Sequence, residues 1–143
     1  MQIDTPQSEQ DWQAYYDLRW QVLRAPWRQP KGSEQDELEN SAYHVMAKTD
    51  EGNTVGVGRI HSITPKQWQI RYMAVPDAHR GKGIGSMLLE WLERKALSQG
   101  AKSITLNARE AAVHFYLHHH YHITGDAATL FDVIKHKSMQ KNY

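Results

Sequence analysis

The chain has 143 residues, enough for one domain with a sizeable core. Its 17 Lys and Arg against 16 Asp and Glu leave a net charge of +1, with no general pull towards nucleic acid or a membrane surface, although nine histidines add charge in acid. The absence of cysteine excludes disulfides and thiolate chemistry, no apolar run approaches membrane-spanning length, and residues 1–6 do not read as a signal peptide, so a soluble cytoplasmic domain is expected.

In chain order, residues 2–4 read as a short strand. Ser8 with Asp11 three residues on is a variant of the capping box, and Trp12, Leu18, Val22 and Leu23 recur at helical spacing over residues 11–23. Pro26 and Pro30 end that helix. Residues 33–40 are acidic and read as a short exposed helix whose acids form a solvated face. Residues 42–49 and 54–64 form a hairpin around the turn at 50–53. In the second of these strands Val55, Val57, Arg59, His61 and Ile63 share a face. Gly56 and Gly58, on the other, predict close packing of another backbone.

Residues 68–75 are a third antiparallel strand, and residues 84–99 are the clearest amphipathic helix, stopped by Gly100. Residues 103–106 form a buried strand, parallel to the third because a helix connects them. Residues 110–120 are the last helix. Residues 121–124 and 129–137 close the chain as a hairpin around 125–128. The order is α/β: a mixed, mostly antiparallel sheet with one parallel crossover, flanked by helices, in a single domain over residues 1–143.

Between the third strand and the clearest helix lie Arg80, Gly81, Lys82, Gly83, Ile84, Gly85 and Ser86. Three glycines in five residues allow a tight turn and a close approach to a ligand. The unpartnered N–H groups of the helix start, the helix dipole and two basic side chains suit a pyrophosphate. On pattern alone, a structural turn fits as well. Neither Gly-x-x-x-x-Gly-Lys-Ser/Thr nor Gly-x-Gly-x-x-Gly is present. What fits is Arg-x-x-Gly-x-Gly, as Arg80, Gly83 and Gly85.

That motif resembles the acetyl-coenzyme A loop of the GNAT superfamily of N-acetyltransferases. The likeness extends over nearly the whole chain, through the element order and a second signature at Asn107, Glu110, Ala111, Ala112, Phe115 and Tyr116. The resemblance implies the GNAT fold and acetyl-coenzyme A as co-substrate. It implies that Met73, Ala74 and Val75 pair their backbone with the pantetheine arm, and that residues 80–86 wrap the pyrophosphate. Asn107 would hydrogen-bond the pantetheine, and Tyr116 would protonate the leaving thiolate. Periodicity alone would put Tyr116 in the core.

The function implied is transfer of an acetyl group from acetyl-coenzyme A directly to a primary amine, on a small molecule or a peptide. No nucleic acid, membrane or metal is expected, and a homodimer stays open. The alternative is a module that binds acyl-coenzyme A without turnover. The chain departs from histone-type members, which carry a Glu where Gln69 stands. The general base is therefore unassigned among His61, His44 and water, each histidine being more readily a satisfied or solvent-facing one. His118, His119, His120 and His122 diverge too much around a helix to read as a zinc site. His120 falls where the family carries a Gly, so a strained turn is expected there. Arg19, Arg24 and Arg109 read as surface or ion-pair residues, or as ligands for a substrate carboxylate.

Overall fold

A serine starts the first helix. Ser8 Oγ accepts the Asp11 N–H at 3.1 Å, and Asp11 Oδ2 accepts the Gln7 N–H at 2.9 Å, so α1 (Glu9–Leu23) is capped as its sequence suggests. The computed structural model describes residues 1–143. Around α1 the chain sets out β1 (Gln2–Asp4), β2 (Tyr43–Lys48), β3 (Thr54–Ser62) and β4 (Gln67–Ala74). Then follow α2 (Ile84–Ser98), β5 (Ser103–Arg109), α3 (Val113–His118), β6 (His122–Leu130) and β7 (Ile134–Asn142).

The seven strands form one sheet in the order β1-β2-β3-β4-β5-β7-β6. Only β4 and β5 pair in parallel, across the α2 crossover; the other neighbours are antiparallel. This is the expected mixed sheet.

Side chains alternate across a strand, and β2 shows which helix covers which face. Val45 and Ala47 join Ile84, Leu88, Leu89, Leu92 and Ala96 of α2 in one buried cluster. Met46, between them, joins Tyr15, Leu18 and Leu23 of α1 in another, with Val57 and Ala74. Gly56 and Gly58 admit side chains rather than a backbone. A Cβ on Gly56 would lie 2.8 Å from Leu88 Cδ1, and one on Gly58 would lie 2.9 Å from Met73 Sδ and 3.0 Å from Leu92 Cδ1.

The structure differs from the sequence expectation in two segments. Residues 33–38 form turns and irregular chain, followed by a 3-10 turn at Glu39–Ser41, with no α-helix. The closing hairpin turns at residues 131–133, where Phe131 and Asp132 take φ of 53° and 61°. The glycine-bearing stretch 125–128 lies inside β6, beside a register shift between Ile123 and Gly125, so the glycine signals a bulge instead of the reversal. No helix is long and apolar enough to cross a membrane.

Candidate active site

The parallel ladder joins Gln67–Ile70 of β4 to Ser103–Leu106 of β5 and stops there. Both strands continue, β4 to Ala74 and β5 to Arg109. On its other edge β4 stays paired with β3, but its register shifts between the pairs Arg59–Arg71 and Val57–Ala74. β4 spends one extra residue in that interval, and Tyr72 sits there at φ 59°. Such a bulge bends its strand and raises the local twist. β4 and β5 therefore part at their carboxyl ends, where open α/β sheets bind ligands.

The loop after β4 leads straight to this opening. Gly81 and Gly83 take φ of 77° and 81°, and nothing lies within 4 Å of where a Cβ would sit on either. Gly83 caps α2, and the first helical bond there runs from the Met87 N–H to the Gly83 carbonyl at 3.1 Å. The N–H groups of Ile84, Gly85 and Ser86 are left without partners inside the helix. Left-handed residues next to a helix start form an anion-binding concavity. Ile84 itself is anchored in the α2 core. Arg80 is exposed, bonded through Nε to the Val75 carbonyl at 3.3 Å and paired with Asp77 at 3.1 Å; Lys82 is exposed.

α3 is clamped onto the same loop. The Phe115 ring would lie 3.3 Å from a Cβ on Gly85, and Ser86 Oγ is 2.9 Å from His119 Nε2. Tyr116 follows Phe115 and is buried edge-on to both Phe115 and Tyr121. Burial raises its pKa, so the hydroxyl keeps its proton. Asn107 is exposed on β5 past the end of its ladder with β4, opposite Ser138 of β7, whose hydroxyl its Oδ1 accepts at 3.2 Å. Met73 is half-buried against Gly58, Ala74 is buried on the α1 face, and Val75 packs against the α2 core. Thus residues 73–75, the 80–86 loop and Asn107 lie on the segments around the parting of β4 and β5, while Tyr116 sits in the buried core cluster with Tyr121 and the α2 side chains, as its periodicity suggests.

The acids of residues 34–39 are the largest correction to the sequence reading. Glu37 is exposed, but Glu34, Asp36 and Glu39 turn inward and form no solvated face. Arg59, fully buried on β3, binds Asp36 at 2.6 Å and Glu39 at 2.8 Å. Arg19, fully buried on α1, binds Glu39 at 3.0 Å and donates to Tyr15 Oη at 2.9 Å. Arg71 takes the second Asp36 oxygen at 2.9 Å. Burial alone would raise the Asp36 pKa, but the hydrogen bonds and charge of Arg59 hold it well below the usual range. One sequence signal pointed here. Arg59 shares its strand face with Val55 and Val57, and a charge on an apolar face needs a partner.

The two candidate bases stand in this layer. His44 has Tyr15 Oη at 2.8 Å from Nδ1 and the Glu39 carbonyl at 2.8 Å from Nε2, so both ring nitrogens are engaged. His61 is buried with Nδ1 3.4 Å from Arg59 Nη2, opposite Gln69 in the register. Burial lowers both pKa values; the Arg19 and Arg59 charges lower that of His44 further, against the Glu39 carbonyl bond, and the Arg59 and Arg71 charges lower that of His61. His120 takes φ 72°, a left-handed turn at the end of α3. No group of three His, Asp or Glu side chains is arranged to hold a metal ion.

Comparison with known proteins agrees with this fold. The family model described as "Acetyltransferase (GNAT) family" matches residues 12–121. The uncharacterised N-acetyltransferase YjcF of Bacillus subtilis (strain 168) is 32% identical over 129 residues, covering 90% of each chain. Among solved structures, an aminoglycoside 6'-N-acetyltransferase complexed with coenzyme A superposes with TM-score 0.82 at 18% identity, over 99% of this chain and 97% of that one. ElaA of Escherichia coli superposes with TM-score 0.78 at 17% identity, over 99% and 97%.

Proposed function

The chain belongs to the GNAT family of acetyltransferases, and on that premise we propose that it transfers an acetyl group directly from acetyl-coenzyme A to a primary amine. The observation that carries the proposal is the parting of β4 and β5 beside an open, glycine-lined helix start. When bound, acetyl-coenzyme A supplies an activated acyl group on a thiolate leaving group.

The chain's own residues then have these roles. Beyond Ile70, β4 has no β5 partner, so the main chain of Met73, Ala74 and Val75 offers a strand edge to the pantetheine arm. A main-chain N–H at that strand end polarises the acetyl carbonyl as charge develops on its oxygen. The N–H groups of Ile84, Gly85 and Ser86, the open space over Gly81 and Gly83, and the charges of Arg80 and Lys82 hold the pyrophosphate. Asn107 hydrogen-bonds the arm from the β5 side. Tyr116 would protonate or hydrogen-bond the departing sulfur from Oη. Both His44 nitrogens are engaged, which leaves His61 and water to take the proton of the attacking amine.

Release of free coenzyme A thiol across a panel of amines tests this reading. Tyr116→Phe keeps the ring, and we expect turnover on the best amine to fall ~10²-fold, with acetyl-coenzyme A affinity and Tm nearly unchanged. Full turnover in Tyr116→Phe would make Tyr116 a core residue only. Acetyl-coenzyme A binding with no thiol release from any amine would replace the enzyme by a non-catalytic acyl-coenzyme A-binding module.

A further inference from the structure

Two arginines beside the opening have no carboxylate. Arg24, the residue after α1, is buried, yet its guanidinium donates only to main-chain oxygens, Nε to Ser33 at 3.1 Å and Nη1 to Leu23 at 2.9 Å. Arg109 ends β5, and its Nη2 donates to that same Leu23 oxygen at 3.3 Å. Two like charges thus meet at one carbonyl. By contrast Arg19, Arg59 and Arg71 each hold a carboxylate at 3.0 Å or closer, and between them they occupy Asp36 and Glu39. Glu34, the acid whose charge Arg24 senses, turns its Oε1 to the Gly32 N–H at 2.8 Å.

The corner these arginines occupy is walled by aromatic rings. Arg24 stands 5.5 Å from the Phe131 ring and 5.7 Å from that of Tyr72, the bulge residue of β4. Arg109 stands 4.6 Å from the ring of Trp27, which stacks on Phe131 at 6.2 Å. His136 faces Arg109 across the β5–β7 pair, adding no negative charge. The end of α1, the bulge, the end of β5 and the β6–β7 turn therefore converge on one site where β4 and β5 part. Burial lowers the pKa of both arginines, and the charge of Arg24 lowers that of Arg109 further. A desolvated cation pair to which no carboxylate is bonded, the nearby Glu34 being turned to Gly32, is unfavourable until an anion arrives.

We propose that Arg24 and Arg109 bind the carboxylate of the acceptor, and that the acceptor is an amino acid or a close derivative, in preference to a polycation such as a polyamine or an aminoglycoside. This rests on the acetyltransferase reading. Guanidinium forks match a carboxylate in two directions at once, which fixes the acceptor's orientation as well as holding it. The same two charges repel a polycation, so the corner selects against one class while binding the other.

The test sets each of the twenty L-amino acids against its decarboxylated amine, with spermidine and kanamycin alongside, at fixed acetyl-coenzyme A. The best amino acid should exceed its decarboxylated amine by ~10²-fold or more in kcat/KM, because a site built for a polar group rejects the analogue that lacks it. Arg24→Gln and Arg109→Gln should bring that ratio to within about tenfold through KM, with the Kd for acetyl-coenzyme A unchanged. Arg109→Lys, which keeps the charge and loses the fork, should fall between and guards against a folding defect. A decarboxylated amine, spermidine or kanamycin that matches the best amino acid overturns the proposal. So does loss of acetyl-coenzyme A affinity in the glutamine variants, which would make these arginines cofactor ligands. A second arm needs no turnover: calorimetry of N-acetyl-amino acids on the coenzyme A-loaded protein. If no amine is acetylated but these ligands bind and Arg24→Gln abolishes it, the catalytic reading fails and the carboxylate site stands. If they do not bind either, both fall.

Discussion

On the α2 face of the sheet, Ile84, Leu88, Leu92 and Ala96 close against Val45, Ala47, Ile60 and Ile70, all at 2% exposure or less. On the α1 face, Arg19 and Arg59 are as deeply buried, and they are matched by Asp36 and Glu39 from a loop with no regular helix. The first face is held by area and fit, the second by a few strong, mutually dependent contacts. The difference has a functional side: α2 begins at the glycine cradle, whereas the α1 face borders the corner of Arg24, Tyr72 and Arg109.

The sharpest way to break this contrast is to remove a charge. Arg59→Leu leaves Asp36 and Glu39, 13% and 9% exposed, without their main partner. Urea unfolding should show a loss of about 3–5 kcal/mol, the cost of breaking a buried pair on one side only. Adding Asp36→Asn and Glu39→Gln should recover part of it. A loss under about 1 kcal/mol would mean that the layer behaves like surface ion pairs.

Overfilling the apolar face should cost less. In Gly56→Val, the Cβ would meet Leu88 at 2.8 Å and Ile84 at 2.9 Å. About 1–3 kcal/mol is expected, since helix side chains can shift. Because Ile84 opens α2, acetyl-coenzyme A affinity should weaken in the same variant; unchanged affinity would uncouple this core from the loop.

Acidification should tell the faces apart with the smallest effect. His44 and His61 have folded pKa values below their ordinary 6.5, so the unfolded chain binds more protons as pH falls past that point. Their contribution is full above about pH 6.5 and is lost on acidification. Asp36 adds a second loss below its ordinary 3.8. Tm should therefore decline in two stages, and His44→Gln should flatten the first. A Tm that rises between pH 7 and about 5 would contradict these signs.

The same contrast explains what the sequence revealed. Apolar spacing exposes α2, and the glycine loop, the strand pairs and the single parallel crossover follow from runs and punctuation that act locally. Buried charge leaves no period. The acids at 36 and 39 read as solvated because their partner, Arg59, is 20 or more residues away in the chain. The last turn was hidden for a related reason. Gly125 advertised a reversal, while the residues that adopt left-handed geometry, Phe131 and Asp132, carry no glycine. The Arg24–Arg109 corner is likewise long-range, with 86 positions separating Arg109 from the Leu23 carbonyl it shares with Arg24.

The central claim is that the start of α2 holds acetyl-coenzyme A, and the two ends of that helix provide the control. Gly83 at its start and Gly100 just past its end take φ of 81° and 95°, and at neither does any atom lie within 4 Å of where a Cβ would sit. Valine at either position strains the backbone by about 1–3 kcal/mol. Only at Gly83 would it occupy the pyrophosphate's space. Calorimetry with acetyl-coenzyme A should find Kd raised ~10²-fold or more in Gly83→Val, about 2.7 kcal/mol of binding energy, and unchanged in Gly100→Val. Equal Kd values in the two variants would contradict the assignment of the loop.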